Sequence, residues 1–269
     1  METLYIYGWY FVIYAVLGWC AEVCFCTVNT GKFVNRGFLN GPVCPIYGFG
    51  MVIVAAVLTP LSGSLAALFV GGALLTSALE FAGGWALKKL FHTSWWDYSD
   101  LPFNLGGYIC LKFSLLWGVA VTAVMRVLQP GVAALVKGIP RPAGYIILAA
   151  VACVFLCDLI VTVNGVARLN RDLGRIADLA RLLHAGSDKL AEELGGAALA
   201  AGDAVAETKL NVSARLDVAR AETLDKRNAV AERLMKAFPD MRPMEPEALA
   251  QMKEWLHEAN AALKKNGGK

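Results

Sequence analysis

Five long apolar runs fill the first part of the chain, and they constrain its fold more than any other feature. They cover residues 4–26, 45–61, 65–87, 107–128 and 143–163. An α-helix rises about 1.5 Å per residue, so about 20 residues cross a hydrocarbon core of about 30 Å. The runs therefore predict an all-α polytopic membrane protein with about five transmembrane helices.

The distribution of charge divides the chain into two predicted domains. Only 8 of the 25 Lys and Arg residues and 6 of the 22 acidic residues precede residue 165, although the mean hydropathy of the whole chain is +0.51. We expect a transmembrane body over residues 1–164 and a helical tail over residues 165–269. The net charge of +3 is too small and too dispersed to indicate nucleic acid binding.

The tail contains two apolar seams with alternating spacings of three and four residues. The first seam consists of Leu169, Leu173, Ile176, Ala180 and Leu183, and the second of Leu249, Met252, Leu256, Ala259 and Leu263. This spacing is typical of helices that pack as coiled coils. The tail is therefore predicted to form a cytoplasmic helical hairpin or a short coiled coil.

The positions of the basic residues predict the orientation. With five spans, the loops after the first and third spans share one face with the start of the tail. Eight bases lie on that face: Lys32, Arg36, Lys88, Lys89, Arg168, Arg171, Arg175 and Arg181. Three lie on the other: Arg126, Lys137 and Arg141. Because cytoplasmic loops carry the excess of Lys and Arg, we expect an outside N-terminus and a cytoplasmic tail.

Acidic residues inside the apolar runs are the first candidates for a substrate-binding site. Glu22, Glu80 and Asp158 each lie in the predicted cytoplasmic third of a span. A charged group at membrane depth costs about 2.5–3.5 kcal/mol on insertion scales, so each needs a partner or a cavity. The alternative is that they contact headgroup water or form structural pairs with nearby Lys and Arg.

Two loops on the predicted cytoplasmic side supply the remaining candidates. Residues 37–48 and 95–108 are rich in aromatic residues, Gly, Pro and Asn, which indicates folded backbone rather than a solvated connector. The candidate substrate-binding residues in or beside them are Arg36, Asn40, Trp96, Asp97, Tyr98 and Asn104. Alternatively, the aromatic residues anchor the chain at the headgroups and the asparagines close loop hydrogen bonds.

The candidates also suggest a direct two-helix repeat. Glu22 is followed by Asn40 and Tyr47, and Glu80 by Asn104 and Tyr108. The two spacings from glutamate to asparagine differ, at 18 and 24 residues. A chance arrangement therefore stays open as the alternative.

Motifs of several enzyme classes are missing from the sequence. It has no G-x-x-x-x-G-K-[ST] phosphate loop, no H-E-x-x-H and no G-x-S-x-G, and its seven cysteines lack zinc-site spacing. We therefore assign no catalytic residue, metal ligand or cofactor. Any ATP hydrolysis would have to come from another chain.

Three segments, residues 36–48, 96–111 and 233–240, resemble the bacterial CmpB-type, or "type IV", family of ABC-transporter permeases. The resemblance implies a multi-span protein of the bacterial plasma membrane with a transport role and an ATPase subunit on a separate chain. It supplies no catalytic or substrate-binding residues.

The leading hypothesis is therefore a permease-like subunit in the lipid bilayer whose polar groups form a cavity open to the cytoplasm. One alternative is a membrane-embedded enzyme that acts on a lipid or lipid-linked substrate, with Glu22, Glu80 or Asp97 as acid or base. Another is a structural or sensory scaffold that recruits partners through the tail. A homo-oligomer is compatible with all three.

Overall fold

The computed structural model describes residues 2–193, with side chains through residue 178, and residues 229–238. Nearer the C-terminus it describes residues 242–243, 247, 249–250 and 253–254. The helices are α1 (Glu2–Thr30), α2 (Pro45–Leu58), α3 (Leu65–Phe91), α4 (Leu111–Ala123), α5 (Gln129–Gly138), α6 (Arg141–Glu193) and α7 (Ala229–Ala237). The strands have two residues each: β1 (Thr93–Ser94), β2 (Asn104–Leu105), β3 (Ile109–Cys110) and β4 (Arg242–Pro243).

The all-α prediction is confirmed. In the described part of the chain, four helical stretches are long and apolar enough to cross a membrane: Glu2–Thr30, Leu65–Phe91, Leu111–Gly138 and Arg141–Asp178. The second predicted span forms a shorter apolar helix, Pro45–Leu61, in which α2 ends in a 3-10 turn, Thr59–Leu61.

The fourth span continues further than the apolar run indicated. A π-helical turn, Val124–Leu128, joins α4 to α5, so the helix runs ten residues beyond the predicted end at residue 128. Pro130 lacks an N–H, and its ring conflicts with the carbonyl four residues earlier in a regular α-helix. The π turn accommodates this proline, so the helix passes through it.

The chain divides into two compact units. One contains residues 1–164 and 232–242, so part of the predicted tail belongs with the membrane body. The other contains residues 165–231 and 243–269. In this second unit the seam residues Leu169, Leu173 and Ile176 are buried, and so is Leu249. The side chains of Ala180 and Leu183 in the first seam are not described, and Met252, Leu256, Ala259 and Leu263 of the second seam lie outside the described residues.

The helical hairpins α1–α2 and α3–α4 pack through equivalent contacts. A Cβ built on Gly48 would lie 2.7 Å from the backbone oxygen of Phe11, and one built on Gly118 would lie 3.0 Å from that of Phe69. Each phenylalanine precedes a glutamate by eleven residues, Glu22 in the first hairpin and Glu80 in the second. The matching contacts indicate a direct repeat of one two-helix unit.

The repeat is also visible in the sequence once this register is known. Residues 11–22 and 69–80 share the pattern Phe-Val-x-x-Ala-x-Leu-x-x-x-x-Glu, and residues 47–60 and 117–130 share an aromatic-Gly pair followed by Leu-x-Pro. Tyr47 therefore corresponds to Trp117, and Phe38 corresponds to Tyr108, so the predicted Tyr47–Tyr108 match was wrong. Asn104 falls in the extra 12 residues of the second connection and has no counterpart.

Candidate functional site

Glu22 lies near the C-terminal end of α1 and has two partners. The Tyr47 hydroxyl donates a hydrogen bond of 2.6 Å to its Oε1, and Nε of Arg36 lies 3.7 Å from its Oε2. Tyr47 can lie against α1 because residue 18 is glycine, and any Cβ there would overlap the Tyr47 ring. The first hairpin thus presents a carboxylate held by a phenol and a guanidinium.

Glu80 occupies the equivalent place in α3 and has different partners. The Tyr98 hydroxyl donates a hydrogen bond of 3.1 Å to its Oε1. Its Oε2 is buried and has no hydrogen-bond partner among the described residues, although Trp117 lies beside the carboxylate. The second hairpin therefore presents a carboxylate with one unused oxygen.

The two carboxylates approach one another through aromatic side chains. The rings of Tyr47 and Trp117 meet edge to face, with centroids 6.0 Å apart. Burial raises the pKa of Tyr98, and the negative charges of Glu80 and Glu22 both raise it further. Trp117 in turn lies beside the Glu80 carboxylate, so Tyr47 and Trp117 link Glu22 to Glu80, and we call these two acids the carboxylate pair.

The carboxylate pair is incompletely neutralised. Arg36 pairs with Glu22, whereas no basic side chain of the described residues forms an ion pair with Glu80. The sequence reflects this asymmetry, because the stretch between Glu80 and Trp117 contains no arginine. Among the described residues, Glu80 therefore lacks the cationic partner that Glu22 has.

Arg36 also contacts the segment that follows α7. Its Nη1 donates a hydrogen bond of 2.7 Å to the carbonyl of Ala237, and its guanidinium lies 5.4 Å from the ring centroid of Phe238. Phe238 in turn packs edge to face on Trp95, and Leu234 is fully buried. The end of α7 is therefore part of the surroundings of the carboxylate pair.

Arg233, which the sequence analysis did not single out, fastens α7 to the loop after α1. Its guanidinium donates to the carbonyls of Gly37 at 2.7 Å and Phe38 at 2.6 Å, and to Oδ1 of Asn40 at 3.1 Å. Burial lowers the pKa of Arg233, and the nearby charge of Asp158 opposes that effect. All of these partners are oxygen atoms, as a buried guanidinium requires.

Asp158 and Asn40 form a second group, which joins α6 to the same loop. Asp158 accepts hydrogen bonds from the backbone N–H of Asn40 at 3.1 Å and of Gly41 at 2.7 Å, and from the Asn40 amide at 2.7 Å. The fully buried Thr162 accepts another from that amide. The acid on α6 thus holds backbone rather than contributing to the carboxylate pair.

Trp96, Asp97 and Asn104 form the third group, which closes the loop between α3 and α4. The Trp96 indole donates to the carbonyl of Tyr108 at 2.9 Å. Asp97 accepts from the backbone N–H of Ser99, and the Asn104 amide donates to the carbonyl of Ser99 at 3.1 Å. These bonds fix the backbone on either side of the tyrosine that reaches the carboxylate pair.

Sequence reasoning missed Tyr47 and Trp117 as members of the cluster. Each stands directly before a glycine that packs on a phenylalanine, and the shared aromatic-Gly pair was the available signal.

Cys44 lies nearby, where burial and the charge of Glu22 raise the pKa of its thiol to about 12, so it is protonated at neutral pH. Within the described residues, no group of three His, Cys, Asp or Glu side chains forms a potential metal site.

Comparison with known families gives one match. A family described as "Putative ABC-transporter type IV" matches residues 9–163, which is more than half of the 269-residue chain. The match covers the carboxylate pair, the group of Asn40 and Asp158, and the loop between α3 and α4. Arg233 and the rest of α7 lie outside it. No curated protein and no solved structure matches the chain.

Proposed function

This chain belongs to the type IV ABC-transporter family, and on that premise we propose that it is the membrane permease subunit of a bacterial transporter. The ATPase is then a separate chain, because this sequence has no phosphate-binding loop. Four long apolar helices support a role within the bilayer. They also make a soluble or peripheral role difficult to reconcile with the cost of exposing such helices to water.

The carboxylate pair is the observation that carries the proposal. Two acids at equivalent positions of a repeat lie toward the C-terminal ends of their helices, which are cytoplasmic in the proposed topology, and Arg36 pairs with one of them. Ionisable groups inside membrane helices mark substrate or ion pathways, and transporter sites form at the interface of repeats. Glu22, Arg36, Glu80 and Tyr98 are thus the proposed substrate-handling residues.

The other candidates support this site from the loops. Asn40 and Asp158 hold the loop after α1 on α6, and Trp96, Asp97 and Asn104 shape the loop that delivers Tyr98. In the proposed function they position the substrate-handling residues. Their replacement would disturb the carboxylate pair indirectly.

The proposed orientation has the N-terminus outside the bacterial plasma membrane and residues 165–269 in the cytoplasm. The count of eight bases against three supports it. The ion pair between Glu2 and Arg141, at 2.8 Å, supports the number of crossings in this topology because it joins the starts of α1 and α6 at one end. Four crossings separate the start of the first span from the start of the fifth, which places both starts on the same side.

The test is ATP hydrolysis by the chain co-purified from its native membranes and reconstituted in liposomes. We expect a phosphate-loop ATPase to co-purify, and Glu80→Gln to lower its hydrolysis rate severalfold by removing the unneutralised charge. Glu247→Gln, at an exposed acid outside the membrane body, is the control and should have no effect. An ATPase rate that does not depend on this chain would contradict the subunit assignment. An unchanged rate in the Glu80 variant would contradict the site alone.

A further inference from the structure

A cavity of about 660 Å³ lies at the end of the membrane body opposite the carboxylate pair. The first turns of α1 form one wall, the end of α2 with its 3-10 turn forms another, and the π turn with the start of α5 forms the third. Tyr7 lines the cavity and precedes Glu22 by 15 residues on the same helix, which corresponds to about 22 Å along the helix axis. The cavity is therefore separate from the proposed substrate-handling residues.

The cavity is formed by equivalent positions of the two hairpins. Thr59 and Pro60 line it from the first hairpin, and their counterparts Gln129 and Pro130 line it from the second. Transporter binding sites commonly lie where repeats meet. The position at the interface of the repeats is thus the first indication of a binding site.

The backbone around the cavity is irregular in both hairpins. The 3-10 turn Thr59–Leu61 ends α2, and the π turn Val124–Leu128 interrupts the fourth span at nearly the same place in the repeat. Irregular backbone at membrane depth is tolerated where it lines a cavity, and π turns are frequent at functional sites. Prolines explain why the helices deviate here, and the cavity explains how the deviation is tolerated.

Arg126 gives the cavity its charge. It lies in the π turn and is the one charged residue in the lining, where Ala56 stands at the equivalent position of the first hairpin. Neither an ion pair nor a side-chain hydrogen bond of Arg126 occurs within the described residues. A guanidinium keeps its proton, and its planar fork of N–H donors matches the oxygens of phosphate and carboxylate groups. The hydroxyls of Thr3 and Tyr7 on the α1 wall add further polar contacts.

We propose that this cavity binds an anionic phosphate or carboxylate group, which Arg126 anchors at the interface of the two repeats. The group comes either from the headgroup of an anionic lipid or from a soluble anion. The inference goes beyond the proposed permease function and does not depend on it.

The experiment measures thermal unfolding of the full chain in a neutral detergent. Three probes are added separately: diheptanoyl phosphatidylglycerol, diheptanoyl phosphatidylcholine and inorganic phosphate. A ligand that binds only the folded state raises the unfolding midpoint. We expect phosphatidylglycerol, phosphate or both to raise it, and phosphatidylcholine to do so much less. A rise with phosphatidylglycerol alone identifies a lipid headgroup, and a rise with phosphate identifies a soluble anion.

Variants distinguish the cavity from general attraction of anions. Arg126→Gln should abolish the rise, whereas Lys137→Gln, at a base on α5 outside the lining, should keep it. Ala56→Leu provides a second approach, because it fills the cavity from the opposite hairpin and leaves Arg126 in place. The proposal is overturned if neither anion stabilises the wild-type chain, if phosphatidylcholine stabilises it equally, or if Lys137→Gln loses as much as Arg126→Gln.

Discussion

Glu22 and Glu80 show how much a single neighbouring residue changes the role of an acid. Both lie eleven residues after a phenylalanine that packs on a glycine, and both accept a hydrogen bond from a tyrosine. Among the described residues only Glu22 forms an ion pair with an arginine, and the stretch between Glu80 and Trp117 contains none. The first acid is therefore an ion-pair partner, and the second has no cationic partner among the described residues.

This difference predicts opposite effects of the same substitution. Glu22→Gln removes the carboxylate that Arg36 faces, and we expect the free energy of unfolding to fall by about 1 kcal/mol, since the pair is long and partly exposed. Glu80→Gln removes a charge without a described counter-ion and should leave stability unchanged or slightly higher. Thermal unfolding in detergent compares the two.

The matched control for this pair is a double-mutant cycle with Arg36→Gln. If Arg36 is the reason for the loss, Glu22→Gln should cost little once the arginine is gone. An equal loss in both backgrounds would show that the ion pair contributes no stability.

At the scale of elements, two glycines set how closely the helices of each hairpin approach. Gly48 and Gly118 face the backbone oxygens of Phe11 and Phe69, at distances that no Cβ tolerates without movement. In both hairpins the contact is with main chain, which a side-chain rotation cannot relieve. The spacing of α1 from α2 and of α3 from α4 therefore depends on these two positions.

We predict that Gly48→Ala and Gly118→Ala each destabilise the protein by about 1–3 kcal/mol, because the hairpin must open to admit a methyl group. Gly50→Ala, two residues from Gly48 in the same helix, meets no atom within 4 Å and serves as the control. It should be neutral or stabilising, since alanine favours the helix by about 0.5–1 kcal/mol. Unfolding midpoints in detergent test all three, and a loss in Gly50→Ala matching that in Gly48→Ala would refute the close-contact explanation.

The sequence predicted most helices because length and hydropathy are local properties. It was less informative where the structure depends on contacts between residues far apart in sequence or on an irregular backbone geometry. Asp158 binds the backbone of residues 40 and 41, a partnership that no local pattern encodes. The continuation through Pro130 depends on a π turn, and a proline ordinarily indicates a helix end. Glu22 and Glu80 could be predicted as site residues from the free-energy cost of placing a charged group in a membrane. Tyr47 and Trp117 could be identified only once the register of the repeat was known.

At the scale of the whole molecule, the orientation is the feature that most affects function, because it decides which compartment each site faces. The proposed topology places the turn between α2 and α3 outside and the loop after α1 inside. The ion pair of Glu2 with Arg141 holds the starts of α1 and α6 together, so an even number of crossings must separate them. The three long helices before α6 give an odd number, which becomes even only if α2 crosses as well. Short as it is, Pro45–Leu61 is therefore required as a span by this topology.

Cysteine accessibility in intact cells tests this arrangement. In a background without native cysteines, Ser62→Cys should react with a membrane-impermeant maleimide, and Lys32→Cys should react only after permeabilisation. Both positions are exposed or partly exposed, so burial does not account for a difference between them. Reaction of Lys32→Cys in intact cells, with Ser62→Cys protected, would reverse the topology.

The contacts of Arg36 carry a consequence for communication across the molecule. One guanidinium faces Glu22 within the body and the last carbonyl of α7, a helix separated from it by about two hundred residues of sequence. If α7 separates from the loop after α1, Arg36 loses its hydrogen bond to the Ala237 carbonyl, and its electrostatic interaction with Glu22 changes. Attachment or release of α7, a segment distant in sequence, would thus change the electrostatic surroundings of Glu22 without any movement of α1.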